Sequence, residues 1–377
     1  KTMRKWLVLK VVSVAAAMDW TSHGQVRDPT LLGDAAVNAS LVRALEGLPW
    51  VAGIPKKFIG ATLGQVQKLM GVIRDETGAS RLPPRTFMDG ELEGLPESFD
   101  WRSATDCPSV REIRDQANCG SCWAFGSTEA MTDRLCILAN ETKHLSAQDV
   151  TSCDKLGDLG CNGGIPSTVY TYYATSGIVT GGNYGDTSGC MMYELAPCAH
   201  HTNSTDYPPC DDSVRTPKCG RECDDGSDWT QAKVTGERGY SICDEDDVEL
   251  NDRGLTACSV KMQAELYSNG PITAMYFVHQ DFLTYQSGVY VASKLSPMLG
   301  GHAVKIIGWG TEDDLPYWIV ANSWNEDWGD QGYFKILRGS NECQIEDPVI
   351  NGGPVAGKPK TSSSSSSFKP VAALSSV

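Results

Sequence analysis

Apolar and polar residues alternate with a period of two through the C-terminal third of the chain. Between residues 259 and 350 the segments GPITAMYFV, SGVYVA, HAVKIIGWG, PYWIVANSW and GYFKILRG are rich in β-branched and aromatic residues and predict strands. Residues 122–138, CWAFGSTEAMTDRLCIL, repeat apolar positions at helical spacing and predict an amphipathic helix. Residues 151–250 have no such period. They are rich in Cys, Gly, Asp and Pro and predict loops held by disulfides. Residues 19–94 form a small, partly helical segment ending in RLPPRTFMDGELEG, a charged Pro/Gly-rich stretch with the character of a cleavable linker, and a new unit begins near LPESFDW. The tail from about residue 356 contains six consecutive serines and is expected to be disordered. There is no internal repeat. A helical half followed by a β half predicts an α+β protein of two subdomains.

Charge refines this division. The 377-residue chain carries a net charge of −15, which argues against a nucleic-acid partner, since phosphate contacts need a basic face. The charge is unevenly placed: residues 1–94 sum to +3 and the remainder to −18. An N-terminal segment of opposite sign is expected to dock on the rest. Fourteen cysteines point to an oxidising compartment, and the sequons at Asn38, Asn140 and Asn203 agree. Lys1, Arg4 and Lys5, then the apolar run Trp6–Val14 and Ala15–Ala17, predict a signal peptide over residues 1–18 and entry to the secretory pathway. No other stretch approaches the roughly 20 apolar residues of a membrane span.

The chemistry concentrates in QANCGSCWAF, residues 116–125. Cys119 and Cys122 form a C-x-x-C that admits three readings: a zinc site, a thioredoxin-like redox pair, or a lone nucleophile at Cys122. The zinc site lacks a second clean ligand pair, and the redox pair lacks a βαβ context. The nucleophile would sit at a helix N-terminus, where the dipole favours the thiolate. A thiolate needs a base, and the base an orienting group. A turn near Glu312-Asp313 gives paired residues an index sum near 624, so His302 is expected to face Asn322, with Trp324 and Trp328 shielding the contact. A lone histidine is more often a satisfied structural one; the Asn partner favours function.

CGSCWAF with a downstream His and Asn resembles the papain-like cysteine proteases, and within them the cathepsin B-like group. The resemblance spans about residues 40–355 and includes GCNGG, GGHAVKIIGWG and PYWIVANSWNEDWGDQGYFKILRGSNECQIE. It implies a two-subdomain fold, with a helical left half and a β-barrel-like right half, over residues 95–355. It implies Cys122 as nucleophile, His302 as its acid/base partner, Asn322 as orienter, and Gln116 with the Cys122 N–H as oxyanion donors. Gly163 and Gly164 would bind the substrate backbone, with Trp324 nearby, and Pro166, Ala303 and Pro348 would line the second specificity pocket. Because Pro348 replaces an acidic residue of the group, an apolar preference over arginine is expected. Residues 19–94 resemble a propeptide that lies through the cleft, reversed relative to substrate, and acidification is expected to loosen it.

By the same resemblance the cysteines pair as Cys107–Cys136, Cys119–Cys161, Cys190–Cys223 and Cys198–Cys210, leaving Cys122 and Cys343 free. The group's extra loop departs here, and Cys153–Cys219 is the simplest repair. Cys243 and Cys258 flank an acidic insertion outside the resemblance and are expected to pair together. Within residues 190–223 an occluding loop is implied, whose adjacent His200 and His201 receive a substrate's C-terminal carboxylate, with His200 anchored on Asp115. A second anchor, to Asp327, is missing, since Asp206 and Tyr207 stand where the group has arginine. The expected function is an endopeptidase that also releases C-terminal dipeptides, with no metal or cofactor. Its partners would be protein substrates, its own propeptide and cystatin-type inhibitors, and it is expected to be a monomer in an acidic vacuole or outside the cell. The alternatives are a catalytically inactive peptide-binding relative and a thiol–disulfide oxidoreductase.

Overall fold

The computed structural model describes residues 47–75, 77–88, 90–199, 207–211, 214–249, 256–348 and 354–360. The strands, in chain order, are β1 (Trp50–Ala52), β2 (Phe99–Asp100), β3 (Ile178–Val179), β4 (Lys233–Val234), β5 (Tyr240–Ser241), β6 (Ile272–His279), β7 (Tyr285–Tyr290), β8 (Met298–Glu312), β9 (Leu315–Ala321), β10 (Tyr333–Leu337) and β11 (Val355–Ala356). The α-helices are α1 (Leu63–Gln67), α2 (Trp101–Ala104), α3 (Cys122–Ala139), α4 (Ala147–Cys153), α5 (Pro166–Thr175) and α6 (Ala257–Asn269). Nine strands join one sheet in the order β1-β7-β10-β9-β8-β6-β11-β5, with β2 also on β8, while β3 and β4 pair separately. This is the expected α+β architecture. Helices α3, α4 and α5 share one core, around Trp123, Met131, Val150 and Tyr170. The sheet encloses another, around Ile272, Phe282, Trp318 and Phe334.

Several elements differ from expectation. Helix α3 forms where predicted, yet every residue from Cys122 to Ile137 is buried, so it is not amphipathic but enclosed on all sides. Two of its charges are matched inside: Asp133 takes Lys305 of β8 at 2.9 Å and Arg134 takes Glu265 of α6 at 2.8 Å. Gly126 lets α3 approach β8, because a Cβ there would stand 2.9 Å from the Val304 backbone nitrogen. Strand β8 is buried continuously from Gly301 to Gly310 rather than alternately, since a helix covers the face that would otherwise meet water. The loop-rich stretch 151–250 contains α5, and the β-rich stretch opens on α6. The tail expected to be free from residue 356 is held further: β11 lies between β6 and β5, and the Lys360 N–H donates to the Thr235 carbonyl at 3.1 Å. The signal peptide, residues 361–377, Asn38 and Asn203 lie outside the described residues. Asn140 caps α3 in a left-handed conformation with φ 55° and is exposed.

The β8–β9 hairpin turns one residue later than expected, through Asp313 and Asp314, both at positive φ as a tight two-residue turn requires. Near the turn Glu312 faces Leu315, an index sum of 627; beyond a bulge around Ile307, Ile306 faces Val320, a sum of 626. An odd sum would put His302 and Asn322 on opposite faces. The bulge restores an even one, so they share a face as diagonal neighbours instead of direct partners. The residue opposite His302 across the neighbouring strand is Tyr276 of β6.

The six disulfides named above, including Cys153–Cys219 and Cys243–Cys258, are bonded in the structure. Cys122 and Cys343 are free. No helix among the described residues is long and apolar enough to cross a membrane.

Candidate active site

Cys122 is the first residue of α3, and Ser121 before it makes no side-chain cap. The bond between Cys119 and Cys161 leaves Cys122 without a dithiol partner, which removes the redox and zinc readings of the C-x-x-C. Across the cleft, His302 Nε2 meets Asn322 Oδ1 at 2.8 Å, and the Ser323 N–H donates to the same oxygen at 2.8 Å. An Oδ1 acceptor requires the His302 proton on Nε2 in the neutral ring. Both side chains are fully buried, and Trp324 covers the imidazole at a ring separation of 4.7 Å. Trp328 in turn packs edge-on against Trp324 at 5.0 Å.

Gln116 is fixed by its own amide: Oε1 accepts from Ser323 Oγ at 2.8 Å, and Nε2 donates to the Cys119 carbonyl at 2.7 Å. Nε2 also donates to the Leu69 carbonyl at 3.0 Å. Leu69 belongs to the N-terminal segment, which runs the length of the cleft. β1 pairs with β7, Phe58 packs edge-on against Trp324, and the chain then crosses the thiol. The Gly71 N–H donates to Cys122 Sγ at 3.3 Å. Val72 pairs in parallel with Gly164: Gly164 N–H donates to the Gly71 carbonyl and Ile73 N–H to the Gly164 carbonyl, each at 2.9 Å. A Cβ on Gly163 would lie 3.0 Å from the Gly71 carbonyl, so the close approach needs glycine.

Burial dominates the electrostatics. It pushes the Cys122 thiol up to about 11, against the N–H groups of Ala303 and Gly71 that favour the thiolate. It pushes His302 down to about 4, against the Asn322 contact. The helix N-terminus was expected to lower the thiol; with residues 69–73 excluding water, desolvation is the larger effect.

Of the expected pocket residues, Ala303 pairs with Met275 of β6, and both pack with Cys122 and Val72. Met275 escaped the sequence reading because its place depends on the β6–β8 register. Pro166 is the buried first residue of α5. Pro348 lines a recess of about 230 Å³ with Arg81, Leu82, Pro84, Ser241 and Cys243–Glu245. His200 and His201 lie outside the described residues, but the Cys198–Cys210 bond that brackets them is formed. Their expected anchor is occupied: Lys57 Nζ donates to both Asp115 oxygens at 3.0 and 2.9 Å, and Asn325 Nδ2 to Oδ2 at 2.8 Å. Asp327 has Lys56 at 3.9 Å. These two lysines were not singled out in the sequence; only the charge contrast between segments hinted at them.

A papain family cysteine protease profile matches residues 95–352. "Cathepsin B-like cysteine proteinase 6" of Caenorhabditis elegans is 46% identical over 269 residues, covering 69% of this chain and 67% of that protein. "Cathepsin B-like cysteine proteinase 4" of the same organism is 40% identical over 314 residues, 81% and 88% of the two chains. Among solved structures, proCathepsin B S9 from Trypanosoma congolense matches with a TM-score of 0.67 at 32% identity, over 87% of this chain and 99% of that one.

Proposed function

This chain belongs to the papain family of cysteine proteases, in its cathepsin B-like group, and we propose that it is the zymogen of an endopeptidase that also releases C-terminal dipeptides. The single observation that carries the reading is a peptide already seated on the candidate machinery: Leu69 carbonyl on Gln116, Gly71 N–H on Cys122, Val72 strand-paired with Gly164. With substrate in place of that segment, His302 takes the Cys122 proton and the thiolate attacks the scissile carbonyl carbon. Gln116 Nε2 and the Cys122 N–H hold the resulting oxyanion. The C–N bond breaks as the imidazolium gives its proton to the leaving amine. Water, deprotonated by His302, then hydrolyses the thioester. Asn322 keeps the ring aimed throughout. The segment itself escapes this chemistry because it offers the sulfur an N–H at 3.3 Å, not a carbonyl carbon.

His200 and His201 act as receptors for a substrate's terminal carboxylate, a role that fades as rising pH removes the imidazole charge. Asp115 anchors their loop once Lys57 withdraws. The Met275–Ala303 wall, filled here by Val72, supports an apolar second pocket. Six disulfides support a secretory-pathway location. The test compares self-processed wild type with His200→Ala. Cys122 should be labelled by an active-site epoxide in both. His200→Ala should lose dipeptide release by about tenfold or more, the worth of one charge-assisted hydrogen bond, while retaining internal cleavage. A Phe-Arg reporter should exceed an Arg-Arg reporter in kcat/KM. Labelling without cleavage would make the chain a peptide-binding relative, and equal loss of both cleavages would remove the carboxylate role.

A further inference from the structure

The strand that receives peptide backbone at Gly164 is held from behind by a carboxylate that the catalytic reading does not use. Asp158 is 5% exposed and accepts from the Ile165 N–H at 2.7 Å through Oδ1 and from Thr168 Oγ1 at 2.8 Å through Oδ2. The Ile165 N–H and the Gly164 carbonyl belong to one planar trans peptide unit, so they point in opposite directions. Fixing the first aims the second, and the second accepts from Ile73 at 2.9 Å. The Leu159 N–H donates to the Gly163 carbonyl at 2.7 Å, closing the turn, and a Cβ at Gly164 would stand 2.6 Å from Asp158 Oδ1. Next to Asp158 lies Asp154, fully buried. Its Oδ1 accepts from the Leu156 N–H at 3.0 Å, and its Oδ2 has no hydrogen-bond partner among the described residues.

We infer that Asp158, backed by the buried Asp154, is a positioning residue that aims the Gly164 carbonyl at the substrate backbone and thereby sets substrate affinity. This rests on the reading of Gly163–Gly164 as the substrate strand. Burial, and then the charge of Asp158, hold the Asp154 proton to higher pH than usual; burial also raises Asp158, against its hydrogen bonds from Thr168 and Ile165. The other groups facing the pair are Asp149 of α4, Lys155 of the same turn, and Tyr172 of α5, whose hydroxyl donates to Asp149. Lys233 approaches that Asp149 at 3.9 Å, and Arg221 faces Tyr172. A raised acid's contribution to stability is fully present below its unfolded value of about 3.9 and is lost as pH rises from there through its folded value. Ionised Asp154 would repel Asp158 and loosen the turn, so KM should climb at the alkaline end.

The experiment uses enzyme self-processed from the full chain and two peptide substrates, one N-methylated at the residue that pairs with Gly164. In wild type, N-methylation should raise KM about fivefold to tenfold, the worth of one backbone hydrogen bond. In Asp158→Ala, KM for the plain substrate should rise by a similar factor with kcat within about threefold, and the N-methyl penalty should collapse towards one. In Asp154→Asn, which mimics the protonated acid, KM should match wild type in acid and lose the alkaline climb. If N-methylation leaves wild-type KM unchanged, the Gly164 strand reading fails. If it raises KM in wild type and equally in Asp158→Ala, the strand reading stands and the positioning role is overturned. Should Asp158→Ala not fold, an Asp154→Asn profile that climbs like wild type overturns it.

Discussion

At the scale of single residues, burial holds Cys122 and His302 uncharged. With the Cys122 thiol pushed up to about 11 and His302 down to about 4, the thiol and the imidazole are both neutral at every pH between. The thiolate fraction at pH 7 is then about one part in ten thousand. Iodoacetamide should therefore alkylate Cys122 in the intact chain at least about a hundredfold more slowly than in the processed enzyme. The rate should rise about tenfold per pH unit toward alkaline pH, as the thiolate fraction does. Peptide mass spectrometry separates Cys122 from the other free thiol, Cys343. A labelling rate in the intact chain that is flat from pH 5 to pH 9 would contradict the burial argument. Cys122, His302, Asn322 and Gln116 were all legible in the sequence, since each stands in a stretch whose residue types serve one chemistry. Met275 and Asp158 were not: one owes its place to a strand register, the other to a turn folded back on itself.

At the scale of elements, the site depends on how closely α3 lies on β8. The atoms nearest a Cβ at Gly126 are backbone atoms of Ala303 and Val304, at 2.9 to 3.2 Å, and backbone cannot rotate away. Gly126→Ala should destabilise the fold by about 1–3 kcal/mol, as overpacking does. It should also lower kcat, because β8 carries His302 next to Ala303 while α3 carries Cys122. Denaturant midpoints and steady-state kinetics of the processed variant check both, and wild-type values for the pair would remove Gly126 from the account. The hairpin teaches the same lesson about register. Alternation located both strands, but the bulge near Ile307 that places His302 and Asn322 on one face leaves no mark in the alternating pattern.

At the scale of the whole molecule, the charge contrast between the two segments resolves into particular pairs. Lys56, Lys57, Arg81 and Arg85 of the N-terminal segment meet Asp327, Asp115, Glu245 and Glu265 of the remainder. Lys57 matters most, since it and Asp115 are only 4% and 9% exposed. Breaking a buried pair costs about 3–5 kcal/mol, and less here because Asp115 keeps Asn325 and the Ala117 N–H. Lys57→Ala should speed self-processing near neutral pH by about tenfold or more, while Lys57→Arg stays close to wild type. Gel analysis of the purified full chain follows this directly, and equal rates for Lys57→Ala and wild type across pH would assign the hold to other contacts.

The sequence by itself determined the family, the α+β division, the candidate site residues and the opposed charges of the two segments. These rest on composition and on short local motifs, which the chain carries wherever it folds. The tertiary structure decided which carboxylate each lysine meets, which wall Val72 fills, where Pro348 points, and whether the thiol is charged. Such outcomes depend on groups tens to hundreds of residues apart being brought together and dried, and desolvation follows the assembled surroundings of a side chain, not its neighbours in sequence.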